Sequence, residues 1–517
     1  MSRNKTIFDL SKVKEGMDIA YKAVSGTLGS SGRNTIYRAP YSGNPMVTND
    51  GISIMREINM EDEEQLLGKD LVQQASERTN EEAGDGTTTA VVLAHAMITK
   101  GLEKVKDGAN PMKLKREIEE TVASISFEAK KIQTDEELFN VANISMENPK
   151  VAKIVSDAVK KSGQDGIVLV EESNQLDIQR EDIDGMKFER GFITPFMVTD
   201  PEKMQAIAED VPVLVTDKAI IMNKDIMPLM EAVHSAGGKQ LFIVCGGLSG
   251  EALATVIANR QKGAFHVIAV EKPFNNDMLG DIAILTGTQL LSEVAGIREF
   301  TADHLKVLGK AKKIIVDPLS TVIIGGAGKP EEVHKRITFL KSEIKKSEYE
   351  FQRGQLKERL AKLSSGIVVL KVGAPTEAEM KYLKLKVDDA VAATRAAMEE
   401  GIVAGGGRFL YDISLVKSKT DGEDVVRYAC GQPMRKIIEN AGFDPEEILP
   451  ALKEGQVWNA STYVVSEDPF SDGIIDPAKV ERCALKNAAS LAASFLTCNC
   501  AIVKIPEEKK EKDLSTY

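Results

Sequence analysis

The stretch Gly84-Asp85-Gly86-Thr87-Thr88-Thr89 sets a carboxylate and three hydroxyls, spaced by glycine, in front of the apolar run AVVLAHAMI. Glycines let backbone amides come close to phosphate oxygens, and a helix N-terminus offers unpaired N–H groups with a favourable dipole. Threonine hydroxyls add donors, and a carboxylate among phosphates makes sense where Mg²⁺ lies between them. The chemistry that suits these residue types is the binding of a metal-bound phosphate. A threonine-capped helix behind a tight turn accounts for the same letters.

Two further glycine-rich turns are compatible with phosphate. Thr27-Leu28-Gly29-Ser30-Ser31-Gly32 closes an amphipathic helix, and Ala404-Gly405-Gly406-Gly407 follows TRAAMEEG. Each reads equally as an ordinary helix C-cap. Walker-type loops are absent: GGAGKPEE at 325–332 lacks the spacing and has Pro330 where Ser or Thr would hold the metal. The chain also has no HRD or DFG triplet of the kinase kind. Two acids stand apart from the surface acids. Asp50 occupies a turn, VTNDG, between two strand-like pieces. Asp389 has Val387, Ala390, Val391 and Ala393 around it, the protected helix face that a water-activating carboxylate needs. A solvated acid on a helix surface remains the alternative for Asp389.

The elements that must position these residues fall into three textures. Residues 1–130 are mostly helical in pattern, interrupted by a hairpin-like NTIYRAPYSGNPMVTNDG. From about 165, short β-branched runs (GIVLVEE, VPVLVTD, QLFIVCGG, FHVIAVEKP, KKIIVDP) alternate with helical segments, the rhythm of α/β. Near 330 long helical patterns return, KPEEVHKRITFLKSEIKKSEYEFQRGQLKERLAKL and PTEAEMKYLKLKVDDAVAATRAAMEEG, and the chain ends in a charged tail, EEKKEKDLSTY. Helical layers at both ends around an α/β insertion imply a domain assembled from both termini.

Composition narrows the function classes. A chain of 517 residues exceeds one ordinary core, so about two to four domains are expected. A net charge of −12 argues against a broad nucleic-acid-binding face, and a single Trp leaves few stacking platforms. The N-terminus has no apolar signal region, and no run approaches a membrane span. The odd, scattered cysteines (245, 430, 483, 498, 500) suit reduced thiols and a cytoplasmic setting. The five histidines do not cluster, so a histidine metal site has no support.

The segments VTNDGISIMREI, GDGTTTAVVLAHAMI with NPMKLKREI, DDAVAATRAAMEEGIVAGGG and GIIDPAKVERCALKNAASLA resemble, in order, those of group I chaperonins, the GroEL type. The resemblance runs over roughly residues 5–505. It implies a multidomain α and α/β subunit: a helical equatorial ATPase domain (1–131 with 400–517), a hinge-like intermediate domain (132–183 with 368–399) and an α/β apical domain (184–367). It also implies an ATP-driven protein-folding machine of homo-oligomeric rings, most commonly heptameric. Its partners would be non-native polypeptides and a small co-chaperonin lid; no nucleic acid or membrane is expected.

Carried over position by position, the resemblance places Thr27, Leu28, Gly29 and Ser30 in the ATP pocket, with Asn49, Asp50 and Gly51 beside the phosphates. Asp85 would hold Mg²⁺, while Gly86, Thr87, Thr88 and Thr89 cradle the phosphates. Gly405 and Gly406 would lie against the nucleotide, Asn459 and Ala460 against the base, and Asp476 against the ribose. Asp389 would orient the attacking water, with Asp50 as a second catalytic acid. Two departures bear on turnover and on dependence on K⁺. Ser30-Ser31 replaces the family's usual Pro-Lys, and Asn49 replaces its usual Lys.

In the apical part, RGFITPFMV resembles the family's client-binding segment and gives Phe192, Phe196 and Met197. Met227 and Met230 are three apart, and Leu253 and Ile257 four apart, so each pair shares a helix face. From spacing alone such stripes read as buried core. The resemblance implies instead an exposed groove that takes clients and the lid. A ring scaffold that binds ATP with reduced folding activity is the competing reading, and the intact Asp50, Asp85 and Asp389 weigh against it.

Overall fold

The computed structural model describes residues 4–504 except 39–44, 147, 164, 165, 174, 202, 293–299, 348 and 365. The charged tail and the tip of the hairpin lie outside the described residues. The chain divides into two compact units. One joins Met1–Asp157, Glu172–Ile178 and Val372–Tyr517; the other joins Ala158–Glu171 and Gln179–Lys371. Each unit is thus built from separated pieces, with the first drawing on both termini. The three-part division implied by the resemblance is finer than this one.

The first unit is helical. Its core is shared by helices Ser11–Ser25, Glu63–Ala83, Thr87–Lys106, Pro111–Ser124, Asp421–Cys430 and Ala478–Leu496. Ala90 and Ala94 on the Thr87–Lys106 helix, and Ala484, Ala488 and Ala492 on the last, are all fully buried. Alanines at i, i+4 spacing let two helices approach closely, so the segment that opens with the threonines is clamped by one from the far end of the sequence. The hairpin forms as expected, with Thr35–Arg38 antiparallel to Pro45–Thr48. Helix Glu377–Glu400 begins at Thr376, whose side chain accepts from the Glu379 N–H, and stops at Gly401.

The second unit is α/β. Its six-stranded mixed sheet has the order His266–Glu271, Gln240–Cys245, Ala206–Val215, Gly309–Val316, Thr321–Gly326 and Gly185–Phe188. The first two pairings are parallel and the remaining three antiparallel. Runs such as Val267–Val270 are buried throughout, as strands covered on both faces must be. Behind the sheet, Asp281 on helix Asp277–Thr286 is fully buried and is held by Arg359 at 2.7 and 3.0 Å and by Arg336 at 2.7 Å. The long pattern from 330 breaks into two helices, Pro330–Lys346 and Glu350–Ser364. Ser347 turns extended there, its hydroxyl donating to the Tyr349 carbonyl at 3.2 Å and its own carbonyl accepting from Arg353. A serine that bonds its own neighbouring backbone competes with the helix.

Candidate nucleotide site

Helix Glu63–Ala83 ends at Gly84, which takes a left-handed φ of 72° while its N–H donates to the Asn80 carbonyl at 2.7 Å. The chain turns through Asp85, whose carboxylate accepts from the Gly86 N–H at 2.6 Å, and Gly86, again left-handed, caps the helix Thr87–Lys106. No side chain caps that helix, so its first amides stay available to a ligand. Thr27 follows the helix Ser11–Ser25; its hydroxyl donates to the Val24 carbonyl at 2.9 Å and lies 3.3 Å from that of Thr88. Asp50 caps the short helix Gly51–Glu57 by accepting from Ser53 N–H at 2.9 Å and Ser53 hydroxyl at 2.6 Å. A side chain on Gly51 would come within 2.7 Å of the Thr88 hydroxyl, so this position keeps the cradle open.

The other walls come from late in the chain. Asn440 donates to the Ser25 and Leu28 carbonyls, both at 2.9 Å, and Ser31 donates to the Ala460 carbonyl at 2.8 Å. These bonds lock the 27–32 turn against the C-terminal third. Strand Ile402–Ala404 pairs with Ile475–Pro477, setting Val403 opposite Asp476. The glycines after that strand form a strand-to-helix turn, with Gly401 serving as the helix C-cap. The Gly406 and Gly407 amides favour the ionised form of the Asp476 carboxyl. Asn459 closes an Asx turn by accepting from Ser461 N–H at 2.9 Å and Thr462 N–H at 3.2 Å.

Together these segments line one cavity of about 610 Å³, in the range of small-molecule sites. All the candidate nucleotide-site residues line it except Gly405. Gly405 lies behind the wall, where any side chain would strike the Ile475 amide at 2.8 Å. Sequence reasoning missed Asn143, Lys386, Trp458 and Glu481, which also line it. Lys386 lies three residues before Asp389 on the same helix face and could have been found by that spacing. Nothing local marks the others.

The cavity is strongly acidic. Burial pushes the Asp85 carboxyl above the ordinary carboxylate range, against the pull of the Gly86 amide and the Lys386 charge. Burial, then the fields of Asp85 and Asp50, push Asp389 well above its ordinary value. Asp476 is pushed up to about 6 by burial and Asp85, and Glu481 well above its ordinary value by burial and then Asp476. Such a site favours entry of a cation. Asn143 Oδ1, Trp458 Nε1 and Glu481 Oε2 are buried without a hydrogen-bond partner. Buried polar atoms are normally satisfied, so three such atoms on residues around one cavity fit a polar ligand there.

In the second unit the expected client residues separate. Phe196 is 59% exposed, and Phe192, Met227, Leu253 and Ile257 are half-buried. Two expectations are corrected: Met197 and Met230 are core residues, 2% and 4% exposed. Met197 turns inward, its carbonyl accepting from His266 Nε2 at 3.1 Å and its sulfur from the Ala269 N–H at 3.3 Å. Helix Met227–Ser235 buries Leu229, Met230 and Val233, so Met230 falls on the core face and Met227 at its margin. Helix Gly250–Gln261 buries Ala252 and Val256, leaving Leu253 and Ile257 on the adjoining flank. Ile221 and Met222, not singled out from sequence, are about half exposed, and the Ala252 N–H donates to the Ile221 carbonyl at 3.0 Å.

Residues 21–506 match the model of the TCP-1/cpn60 chaperonin family. Among solved structures, the chain is similar to the chaperonin gp146 of the Pseudomonas aeruginosa bacteriophage EL, crystallised in the presence of ATP-BeFx. In one crystal form the identity is 18% and the TM-score 0.65, over 98% of this chain and 99% of that one. In a second form they are 19% and 0.63, over 97% and 99%. At that identity the likeness establishes the fold, a multidomain chaperonin architecture. Among the described residues no helix is long and apolar enough to cross a membrane, and no group of three or more His, Cys, Asp or Glu side chains is arranged to hold a metal ion.

Proposed function

This chain belongs to the TCP-1/cpn60 chaperonin family, and from that premise we propose that it is an ATP-driven chaperonin that captures non-native polypeptides and promotes their folding. The observation that carries the proposal is the convergence of glycine turns, threonine hydroxyls and raised carboxyls on one cavity. The gp146 neighbours, crystallised with an ATP analogue, support a nucleotide as its occupant.

In this reading Gly86 and Thr87 to Thr89 hold the phosphates, with Thr27, Gly29, Ser30, Asn49 and Gly51 completing the cradle. Asp85 would hold Mg²⁺, which when bound would screen the phosphate charge and polarise the terminal phosphate. Asn459, Ala460 and Leu28 take the base, and Asp476, with Gly406, the ribose. Asp389 orients the attacking water and accepts its proton, assisted by Asp50. Burial and the fields of Asp85 and Asp50 raise the proton affinity of the Asp389 carboxyl, which suits a proton acceptor. K⁺ is a further cation such an acidic pocket would accept.

The proposal adopts the division into equatorial (1–131, 400–517), intermediate (132–183, 368–399) and apical (184–367) domains, homo-oligomeric rings and a cytoplasmic setting. Clients, and a lid protein if one is used, would take the apolar strip of Phe192, Phe196, Met227, Leu253 and Ile257, extended by Ile221 and Met222. The test compares two variants of the full chain. Asp389→Ala lowers ATP turnover about a hundredfold with affinity kept, as removal of a water-activating group does, whereas Asp85→Ala weakens Mg-ATP binding itself. Equal losses of affinity in both contradict the assigned roles, and a chain that remains a monomer with ATP at micromolar concentration contradicts the ring.

A further inference from the structure

Charge at the nucleotide cavity is lopsided. Asp50, Asp85, Asp389, Asp472, Asp476 and Glu481 line it, while Lys386 is the one lysine or arginine among the described residues that do so. A nucleoside triphosphate brings several more negative charges into the same space, and one divalent ion cannot offset them all. The turns beside the proposed phosphate cradle hold Ser30, Ser31 and Asn49, none of which carries a charge. The compensating cation must therefore come from elsewhere in the wall.

Lys386 has the placement for it. It sits on helix Glu377–Glu400 one turn before Asp389, so the ammonium and the water-orienting carboxylate leave the same helix face. Its charge acts on both Asp85 and Asp389, the acids that flank the terminal phosphate in the proposed reaction. Its Nζ donates to the carbonyl of Ser145, the penultimate residue of helix Asp135–Met146, at 3.4 Å. That carbonyl is one of the four a helix leaves without an internal partner. The distance is long for a charge-assisted hydrogen bond, so a charged phosphate oxygen is the stronger acceptor of the two.

We propose that Lys386 is the phosphate-binding cation of this pocket: its ammonium exchanges the Ser145 carbonyl for the terminal phosphate and so distinguishes a nucleoside triphosphate from a diphosphate. The inference rests on the nucleotide reading given above. Because the exchange releases the end of helix Asp135–Met146, the identity of the bound nucleotide reaches that helix through one side chain.

The test is calorimetric titration of the full chain and of Lys386→Met and Lys386→Arg with Mg-ATP and with Mg-ADP. A charged hydrogen bond to a terminal phosphate corresponds to roughly ten- to hundredfold in affinity. Lys386→Met should lose that factor for Mg-ATP and change Mg-ADP by less than about threefold, while Lys386→Arg, which keeps the charge, restores most of the preference for ATP. A second readout is hydrogen exchange at 143–146: ATP should accelerate it in the parent chain and leave Lys386→Met unchanged. Parallel weakening of ATP and ADP, or an unchanged ratio in Lys386→Met, overturns the inference. A parent chain that binds neither nucleotide overturns the nucleotide reading instead, so the two failures are distinguishable. Should Lys386→Met not fold, Lys386→Gln keeps a polar donor without the charge, and the same ATP-to-ADP ratio decides.

Discussion

Replacing Gly84 with alanine should separate the two halves of the catalytic centre. Gly84 is left-handed, so an alanine there carries about 1–2 kcal/mol of backbone strain. The larger effect is steric. A Cβ on Gly84 would stand 2.3 Å from the Cβ of Ala392, whereas two such carbons rest at about 3.5–4.0 Å. The surfaces must therefore part by roughly 1.2–1.7 Å. No rotamer relieves the overlap, because each methyl carbon is fixed to its backbone. Ala392 follows Asp389 by three residues on one helix, and Gly84 immediately precedes Asp85. The displacement accordingly moves the water-orienting carboxylate away from the metal-holding one. A shift of about 1 Å in such a constellation costs on the order of a hundredfold in rate. Phosphate release at saturating Mg-ATP, with affinity measured separately, should show that loss mainly in turnover. Ala392→Gly added to the variant removes the colliding methyl and should recover most of the rate, at about 1 kcal/mol of helix stability. Turnover in Gly84→Ala within about threefold of the parent, less than 1 kcal/mol of barrier, or failure of Ala392→Gly to rescue, refutes the reasoning.

Two further outcomes follow from buried polar groups. Arg408 is 1% exposed, donates to the Gln456 carbonyl at 2.7 Å and the Lys453 carbonyl at 3.1 Å, and pairs with Asp412. Arg408→Met should destabilise the first unit by about 3 kcal/mol in chemical denaturation, because it strands those partners, and Arg408→Lys should not rescue it, since one ammonium cannot span them. Burial, then the nearby Arg260 charge, pushes His266 down to about 4. A depressed histidine favours the neutral folded form, so its contribution is complete above the unfolded value near 6.5 and is lost as pH falls through 6.5 towards 4, at most about 3 kcal/mol. His266→Gln should flatten that limb of the second unit's unfolding profile; an unchanged slope between pH 6.5 and 4 speaks against it.

What could be read from sequence was local. The glycine turn before the threonine-led helix, the paired strands Thr35–Arg38 and Pro45–Thr48, and the β-branched runs that fall in strands 206–215, 240–245 and 266–271 all formed where their own residues dictate. Asp389 sits as expected on a helix face framed by buried Val387 and Ala390. What escaped depends on contacts between distant residues. Glu481 reads as an ordinary acid in a helix's first turn and becomes a pocket wall only because helix Ala478–Leu496 lies along helix Thr87–Lys106. Met230 shares a stripe with Met227, but a helix has one core face, and its angle is set by packing rather than spacing. Arg408 follows three glycines like a surface residue, yet the carbonyls of Lys453 and Gln456 draw it inside.

The central claim, that nucleotide turnover here serves protein folding, is tested most directly by recovery of a chemically denatured enzyme in the presence of the purified chain, with and without Mg-ATP. The account expects recovery above the spontaneous yield only with Mg-ATP, while Asp389→Ala suppresses aggregation of the same client without restoring its activity. Recovery that is the same with and without nucleotide, or ATP hydrolysis that leaves the fate of the client unchanged, would contradict it.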